Sequence, residues 1–195
     1  MNKYNFRIED HIKNYEDKRN FKSTSEPEGS AVNNKQSGKN KGLVFVVQKH
    51  YASRLHYDFR LELDGVLKSW AIPKGPTLDP ANKHLAVLVE DHPFVYKDFS
   101  GIIPEGNYGA GRVEIWDTGT YLALDSPDSK DTAHKVRAGF NKGHITIILN
   151  GKKLNGEFAF IRLRKAKKND WMLIKKNDQF AVRGWDIKIE DEESV

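Results

Sequence analysis

Across residues 56–72 the chain alternates with a period of two. Tyr57, Phe59, Leu61 and Leu63 share one parity, and His56, Asp58, Arg60 and Glu62 share the other. That period belongs to a strand with one buried face. Asp64-Gly65 interrupts the run with the residue pair that favours a two-residue type I′ turn, because both positions tolerate positive φ. Such a turn fixes the register: Leu63 faces Val66, Leu61 faces Lys68, Phe59 faces Trp70 and Tyr57 faces Ile72, a core face. On the other face His56, Asp58, Arg60 and Glu62 stand opposite Pro73, Ala71, Ser69 and Leu67. The small partners among these leave room beside the polar side chains, which marks this face as a candidate site.

The same texture continues down the chain. Residues 144–165 alternate around Asn150-Gly151 and Asn155-Gly156, and DWMLIKK adds a further strand. Many short strands separated by Asp-Gly, Asn-Gly and Gly-rich turns predict a mainly β fold, a small closed or nearly closed antiparallel β-barrel. Two helices accompany it. Tyr4, Ile8, His11, Ile12 and Tyr15 recur at helical spacing and predict a helix over 6–18, and residues 129–140 suggest a second, short one. Between them, 23–42 is rich in Ser, Gly, Asn and Lys and reads as a flexible connector. The expected division is an N-terminal helix and arm contributing to the site (1–42), a barrel (43–185) and an acidic tail (186–195). The Gly-rich stretch before RVEIWD is not a dinucleotide fingerprint, since a strand rather than a helix follows it; it reads as a rim loop, with Glu105 and Tyr108 as rim contacts.

Composition narrows the class. Ten Phe, seven Tyr and four Trp in 195 residues supply a core. The absence of Cys excludes disulfide scaffolds, thiolate metal sites and cysteine nucleophiles, and suits a reducing compartment. No apolar run approaches the roughly 20 residues needed to cross a bilayer, and the N-terminus lacks a secretory h-region. A cytoplasmic monomer without membrane contact is expected. The net charge of +5 hides a gradient, because residues 150–176 hold nine Lys+Arg against two acids. Such a patch fits phosphate binding, with Trp171 placed to stack on a base, or equally a solubilising sheet edge.

Four of the seven histidines, His50, His56, His84 and His92, fall within 43 residues of one another, while His11, His134 and His144 lack polar company in the sequence. His56 and Asp58 point the same way, and His50 lies just across the short 51–55 loop. Two imidazoles and a carboxylate suit Mn²⁺, Fe²⁺ or Zn²⁺ with positions left open; the alternative is a solvated strand face. Arg60, two residues beyond Asp58, adds a planar donor fork for a phosphate. His92, with Glu90 on the same stretch, offers a donor or general acid, and Lys74 at the hairpin's end adds positive charge.

The stretches QKHYASRLHYDFRLELDGVLKSWAIPKGP and VEDHPFVYKDFSGIIPEGNYGAGRVEIWDTGTY resemble the phosphoesterase domain of bacterial DNA ligase D over roughly residues 15–176, and GEFAFIRL and WMLIKK resemble that family's final strands. The resemblance implies a small barrel enzyme that heals 3′ ends of DNA or RNA primer strands. It would remove a terminal ribonucleoside and then the 3′-phosphate, using Mn²⁺ or another divalent transition metal such as Co²⁺. It assigns the metal to His50, His56 and Asp58, and catalytic or phosphate contacts to Arg60, His92, Tyr96 and Glu90. An arm with Arg19 and Glu26 would serve the first step, and Lys74 and His84 would help hold phosphate. Two positions depart from the family pattern: Asn20 stands where the arm carries Asp, and His84 where some relatives carry Arg, with Lys83 beside it. The chain has no room for ligase or polymerase domains, so these are expected as separate partner chains acting on nucleic-acid 3′ ends. Two rival readings stand beside this one. One is a non-catalytic nucleic-acid-binding barrel; the other is an iron oxygenase using His56, Asp58 and His92 as a two-His, one-carboxylate triad.

Overall fold

The computed structural model describes residues 8–29, 42–164 and 169–187. Helix α1 (Ile8–Glu16) precedes strands β1 (Leu43–Tyr51), β2 (Leu55–Leu63), β3 (Val66–Ile72), β4 (Lys83–Leu88), β5 (His92–Pro93), β6 (Gly101–Ile103) and β7 (Gly111–Ala123). Helix α2 (Ser129–Lys142), β8 (His144–Gly151), β9 (Asn155–Arg162) and β10 (Asp170–Lys175) follow. Eight strands close a ring in the order β1-β2-β3-β4-β10-β9-β8-β7 and back to β1, every neighbour antiparallel, while β5 and β6 extend β3 and β7. Closure leaves the eight barrel strands without a free edge.

The predicted register of the first hairpin holds from Leu63↔Val66 to Tyr57↔Ile72. Its turn takes the expected positive φ, 54° at Asp64 and 84° at Gly65. The inward row of β2 meets Phe45, Trp70, Phe158, Phe160 and Trp171 in the main core. Trp171 is fully buried there, with its ring 6.0 Å from Trp70 and 5.4 Å from Phe140, so it cannot stack on a base. In DWMLIK both parities are apolar, and the neighbouring lysines disguised which one faces inward.

The two ends of the barrel differ. Helix α2 closes one: Asp128 caps its N-terminus by accepting from Asp131 N–H, Gly143 ends it at φ 79°, and Val136 and Phe140 enter the core. Arg137 anchors it to Asp64 at the β2–β3 turn. At the opposite end, where β1 turns into β2, Ile187 packs near Tyr57, and a cleft opens between Leu55, Tyr57, Pro73, Lys74, His84 and Trp185.

A second, smaller core lies outside the barrel wall, where Tyr15 of α1 meets Leu67, Tyr96, Phe99, Ile103 and Val113. The start of the predicted flexible connector belongs to this layer. Glu26 is 4% exposed, and the Tyr15 hydroxyl donates to the Pro27 carbonyl at 2.7 Å, so the 23–29 stretch is anchored at Glu26 and Pro27 while Ser23, Ser25 and Glu28 stay exposed. The rest of the connector, 30–41, and the acidic Glu190–Glu193 lie outside the described residues. His11 also has a polar partner, since its Nδ1 sits 2.9 Å from Asp91 Oδ2, which also accepts from Lys68.

Candidate metal centre and its ionic surroundings

The outward parity of β1 and β2 builds the site. Pairing sets His50 opposite His56 and Gln48 opposite Asp58, so these side chains emerge side by side on the outer wall beneath α1. One ligand atom from each of His50, His56 and Asp58 can be chosen so that all lie within 4.8 Å of one another. His50 Nδ1 stands 3.5 Å from Asp58 Oδ2, and His56 Nε2 stands 3.6 Å from Asp58 Oδ1. Two donors on one first-row ion at about 2.1 Å lie roughly 3.0–3.5 Å apart, so the two His–Asp spacings fit, while the trio as a whole, spread over as much as 4.8 Å, would draw inward around an ion.

The remaining ring nitrogens settle the chemistry. His50 Nε2 is 2.9 Å from the Gly109 carbonyl and His56 Nδ1 is 2.9 Å from the Arg54 carbonyl. A carbonyl only accepts, so those nitrogens carry the protons, and the lone pairs of His50 Nδ1 and His56 Nε2 face Asp58. Backbone acceptors behind ligating imidazoles are the arrangement that orients them for a cation. The residues present therefore fit a divalent ion bound by two nitrogens and a carboxylate.

Burial opposes the charge on Asp58. The neighbouring Arg60 guanidinium, joined by His50 and His56 whenever these are protonated, outweighs it and holds the carboxyl below its ordinary range. Arg60 is itself buried. Its Nε donates to Gln48 Oε1 at 2.6 Å, Nη1 to Ser69 Oγ at 2.9 Å and Nη2 to Asp58 Oδ2 at 3.0 Å, and its plane lies 4.8 Å from the Tyr96 ring. Gln48 and Ser69 thus lock the guanidinium, and its Nη2 holds the orientation of Asp58. Gln48 and Ser69 are site residues that motif reading passed over, although Gln48 shares the parity of His50 and Ser69 had been placed opposite Arg60.

Next to this group lies a buried ionic cluster. Arg19 Nε donates to Glu26 Oε1 at 2.9 Å, Nη1 to Glu90 Oε1 at 3.3 Å and to the Tyr15 carbonyl at 2.9 Å, and Nη2 approaches His92 Nε2 at 3.3 Å. Tyr96 donates its hydroxyl to Glu26 Oε1 at 3.0 Å; burial in the first place pushes that phenol well up, so it stays protonated. Lys18 donates to Glu90 Oε2 and lies over the Tyr108 ring, which brings Tyr108 to the rim of this cluster, while Glu105 is exposed. Asn20 turns away: its Oδ1 accepts from Lys22 N–H in an exposed turn, a bond that an Asp would make equally well. Lys74 is exposed, and His84 Nδ1 lies 2.6 Å from the Gly75 carbonyl; both line the end cleft rather than the ionic cluster.

A guanidinium only donates, so His92 Nε2 accepts from Arg19, and the proton sits on Nδ1, 3.0 Å from the Glu90 carbonyl. Burial first, then Arg60 and Arg19, hold this imidazole well below 6.5. The folded protein thus declines a proton that the unfolded chain accepts. The stability tied to neutral His92 is complete above about pH 6.5 and is lost as pH falls below it. Chemical denaturation of wild type against His92→Gln, between about pH 7 and 5.5, is expected to show the wild type losing up to about 1.4 kcal/mol more per pH unit. Equal slopes would mean that His92 takes up its proton without cost in the fold. His92, engaged by Arg19 and Glu90, does not complete a triad with His56 and Asp58. Among the described residues, the group of three that can hold a metal is His50, His56 and Asp58.

Fold and site together define a closed antiparallel barrel with a two-His, one-carboxylate group on its outer wall and a buried ionic cluster beside it. Residues 48–162 match the family described as the DNA ligase D 3′-phosphoesterase domain, and the chain belongs to that family. It is 52% identical over 165 residues to the multifunctional non-homologous end joining protein LigD of Pseudomonas aeruginosa, covering 84% of this chain and 18% of that protein. It is 47% identical over 121 residues to the multifunctional non-homologous end joining DNA repair protein LigD of Mycobacterium tuberculosis, covering 62% of this chain and 15% of that one. A third relative, LigD of Mycolicibacterium smegmatis, is 38% identical over 188 residues, covering 92% of this chain and 22% of its own length. The chain therefore spans less than a quarter of the length of these curated relatives. No helix among the described residues is long and apolar enough to cross a membrane.

Proposed function

We propose that this protein processes nucleic-acid 3′ ends in DNA repair as a metal-dependent phosphoesterase. It would remove a terminal ribonucleoside and then the 3′-phosphate to leave a 3′-hydroxyl. The observation that carries the reading is the pair of imidazole lone pairs converging with the Asp58 carboxylate beside Arg60 and His92. Mn²⁺ is the proposed ion, and when bound it supplies Lewis-acid polarisation of a phosphate oxygen and an acidified water.

The chain's own groups divide the remaining work. Arg60 holds Asp58 in place and, from the same position, contributes fixed positive charge where negative charge grows during phosphoryl transfer. His92 begins neutral because two guanidiniums and burial disfavour its protonation. An incoming phosphate offsets those positive charges, raises the basicity of His92 and lets it take up a proton and bond the phosphate from Nε2. Arg19, steered by Glu26 and Glu90, brings the N-terminal arm against His92, which suits a role for the arm, and for Tyr96 through Glu26, in placing the terminal nucleoside. Lys74 and His84 would hold a more distant phosphate along the end cleft.

The test is a gel assay of the purified protein with Mn²⁺ on a 5′-labelled primer-template ending in one ribonucleotide or in a 3′-phosphate. Both substrates should convert to a 3′-hydroxyl end, and His50→Ala or EDTA should stop both. Loss of the 3′-phosphate alone would confine the protein to the second step and implicate the arm around Asn20. No metal-dependent change in either substrate would return the reading to a binding barrel.

A further inference from the structure

The wall that carries the metal group has a second face, and its row of inward side chains continues past the core to the barrel rim. Along β1 the inward row runs Phe45, Val47, Lys49, Tyr51; register pairs Lys49 with Tyr57 and Glu114, and Tyr51 with Leu55 and Arg112. Lys49, Tyr51, Leu55 and Arg112 lie beyond the packed interior, at the barrel end opposite α2, and Tyr57 is the last core residue beneath them. Lys49 and Tyr51 are half-buried there, and Leu55 is 46% exposed. A bulge in β7 against Val47/Gln48 adds Trp116 to the row.

The side chains stack in alternation. The Arg112 guanidinium lies 4.1 Å from the Tyr51 ring centroid, and the Lys49 ammonium lies 5.1 Å from Tyr51 and 6.0 Å from Tyr57. Tyr57 meets Trp116 edge-on at 5.5 Å, and the Lys153 ammonium lies 5.3 Å from Trp116. Glu114, beside this row, pairs with Arg112. Its far end is rigidly built: the buried Asp117 carboxylate accepts from the backbone N–H groups of Lys152, Lys153 and Leu154, at 2.9, 3.2 and 2.8 Å.

We infer that Arg112, Tyr51, Lys49, Trp116 and Lys153, backed by the buried Tyr57, form a binding track for unpaired nucleic acid, running from the 51–55 rim away from the metal group. The inference rests on the end-processing reading and adds to it where the strand beyond the reacting end lies. Alternating rings and cations suit single strands, in which bases stack on aromatic faces while phosphates meet Lys and Arg. The half-buried rings of Tyr51 and Trp116 and the three neighbouring cations match a polyanion better than an apolar peptide. The track begins next to His50 and His56 in sequence and register, so one strand crossing the rim can occupy both faces.

The test compares the full chain with Lys49→Glu/Lys153→Glu and with Trp116→Ala, by anisotropy of a labelled hairpin duplex carrying a roughly ten-nucleotide single-stranded extension and of the same duplex made blunt. Each variant should bind the tailed duplex about tenfold or more weakly, and the charge variant should flatten the salt dependence by roughly 0.7 per lost phosphate contact. Trp116→Phe, which keeps a ring, should restore most of the affinity and guards against a folding artefact. Blunt-duplex binding should change little. Equal losses on tailed and blunt DNA, or no loss on either, would overturn the track. Mn²⁺-dependent hydrolysis of a deoxynucleoside 3′-monophosphate, too short to reach the track, separates the two ideas. Its absence in the wild-type protein would remove the end-processing reading, while selective loss of tailed binding would still uphold the track.

Discussion

Asp58→Asn is expected to fold and to lose divalent-cation affinity by more than about a hundredfold. The amide keeps the shape of the carboxylate and can still accept from Arg60 Nη2, now 3.0 Å away, so the wall should retain its geometry. It no longer offers an anionic oxygen between the lone pairs of His50 and His56. The same change leaves the buried Arg60 without its counter-charge, which should cost about 3 kcal/mol of stability. Isothermal titration with Mn²⁺ and a thermal melt read the two effects separately. Glu62→Gln is the control: Glu62 shares the strand face but accepts from Val44 N–H further from the trio, and its loss should shift cation affinity by less than about twofold. If Asp58→Asn bound Mn²⁺ like the wild type, the trio would not be the metal site.

Arg19→Met should release the arm before it melts the barrel. Arg19 is the cation between Glu26 and Glu90, with its side chain 4% exposed and its guanidinium 3.7 Å from the Tyr15 ring. Removing it leaves Glu26 without a cation in a buried place and Glu90 with Lys18 alone, at a cost of about 3 kcal/mol. That exceeds what Tyr15 and the few arm contacts can hold, so residues 8–29 should open as a local unit. Hydrogen exchange should show fast exchange in 8–29 with protection in β1–β3 unchanged. The imidazole of His92, freed from one of the guanidiniums that depress it and from part of its burial, should titrate closer to 6.5, as NMR would show. The double variant Arg19→Met/Glu26→Gln should recover part of the loss, because it removes a stranded charge as well. Unchanged protection of the arm in the single variant would mean that aromatic packing alone holds it.

What could be read from the chain follows from range. The β2–β3 hairpin was legible because Asp64-Gly65 sets both turn and register locally, and every side-chain direction follows by parity. The trio was legible for the same reason, since His56 and Asp58 share a strand face and His50 needs only one short loop to reach them. The ionic cluster was not, because Arg19, Glu26 and Glu90 meet through tertiary packing of α1 that no local pattern encodes. Family resemblance named those residues but not their bonds. Trp171 misled because a surface charge count carries no parity, and the connector misled because polar composition does not reveal that Glu26 and Pro27 are anchored by Arg19 and Tyr15.

The β1–β2 ribbon is inscribed on both sides: His50, His56, Asp58 and Arg60 on one, core and aromatic residues on the other, in strict alternation. Such a ribbon tolerates no odd-numbered slip. Deleting one residue within 55–63 would turn His56, Asp58 and Arg60 into the apolar interior and expel Phe59 and Leu61. A paired deletion would preserve facing but break the pairing of His50 with His56. Insertions should therefore be confined to the 52–54 tip, and the site's spacing is copied with the same fidelity as the barrel's own closure.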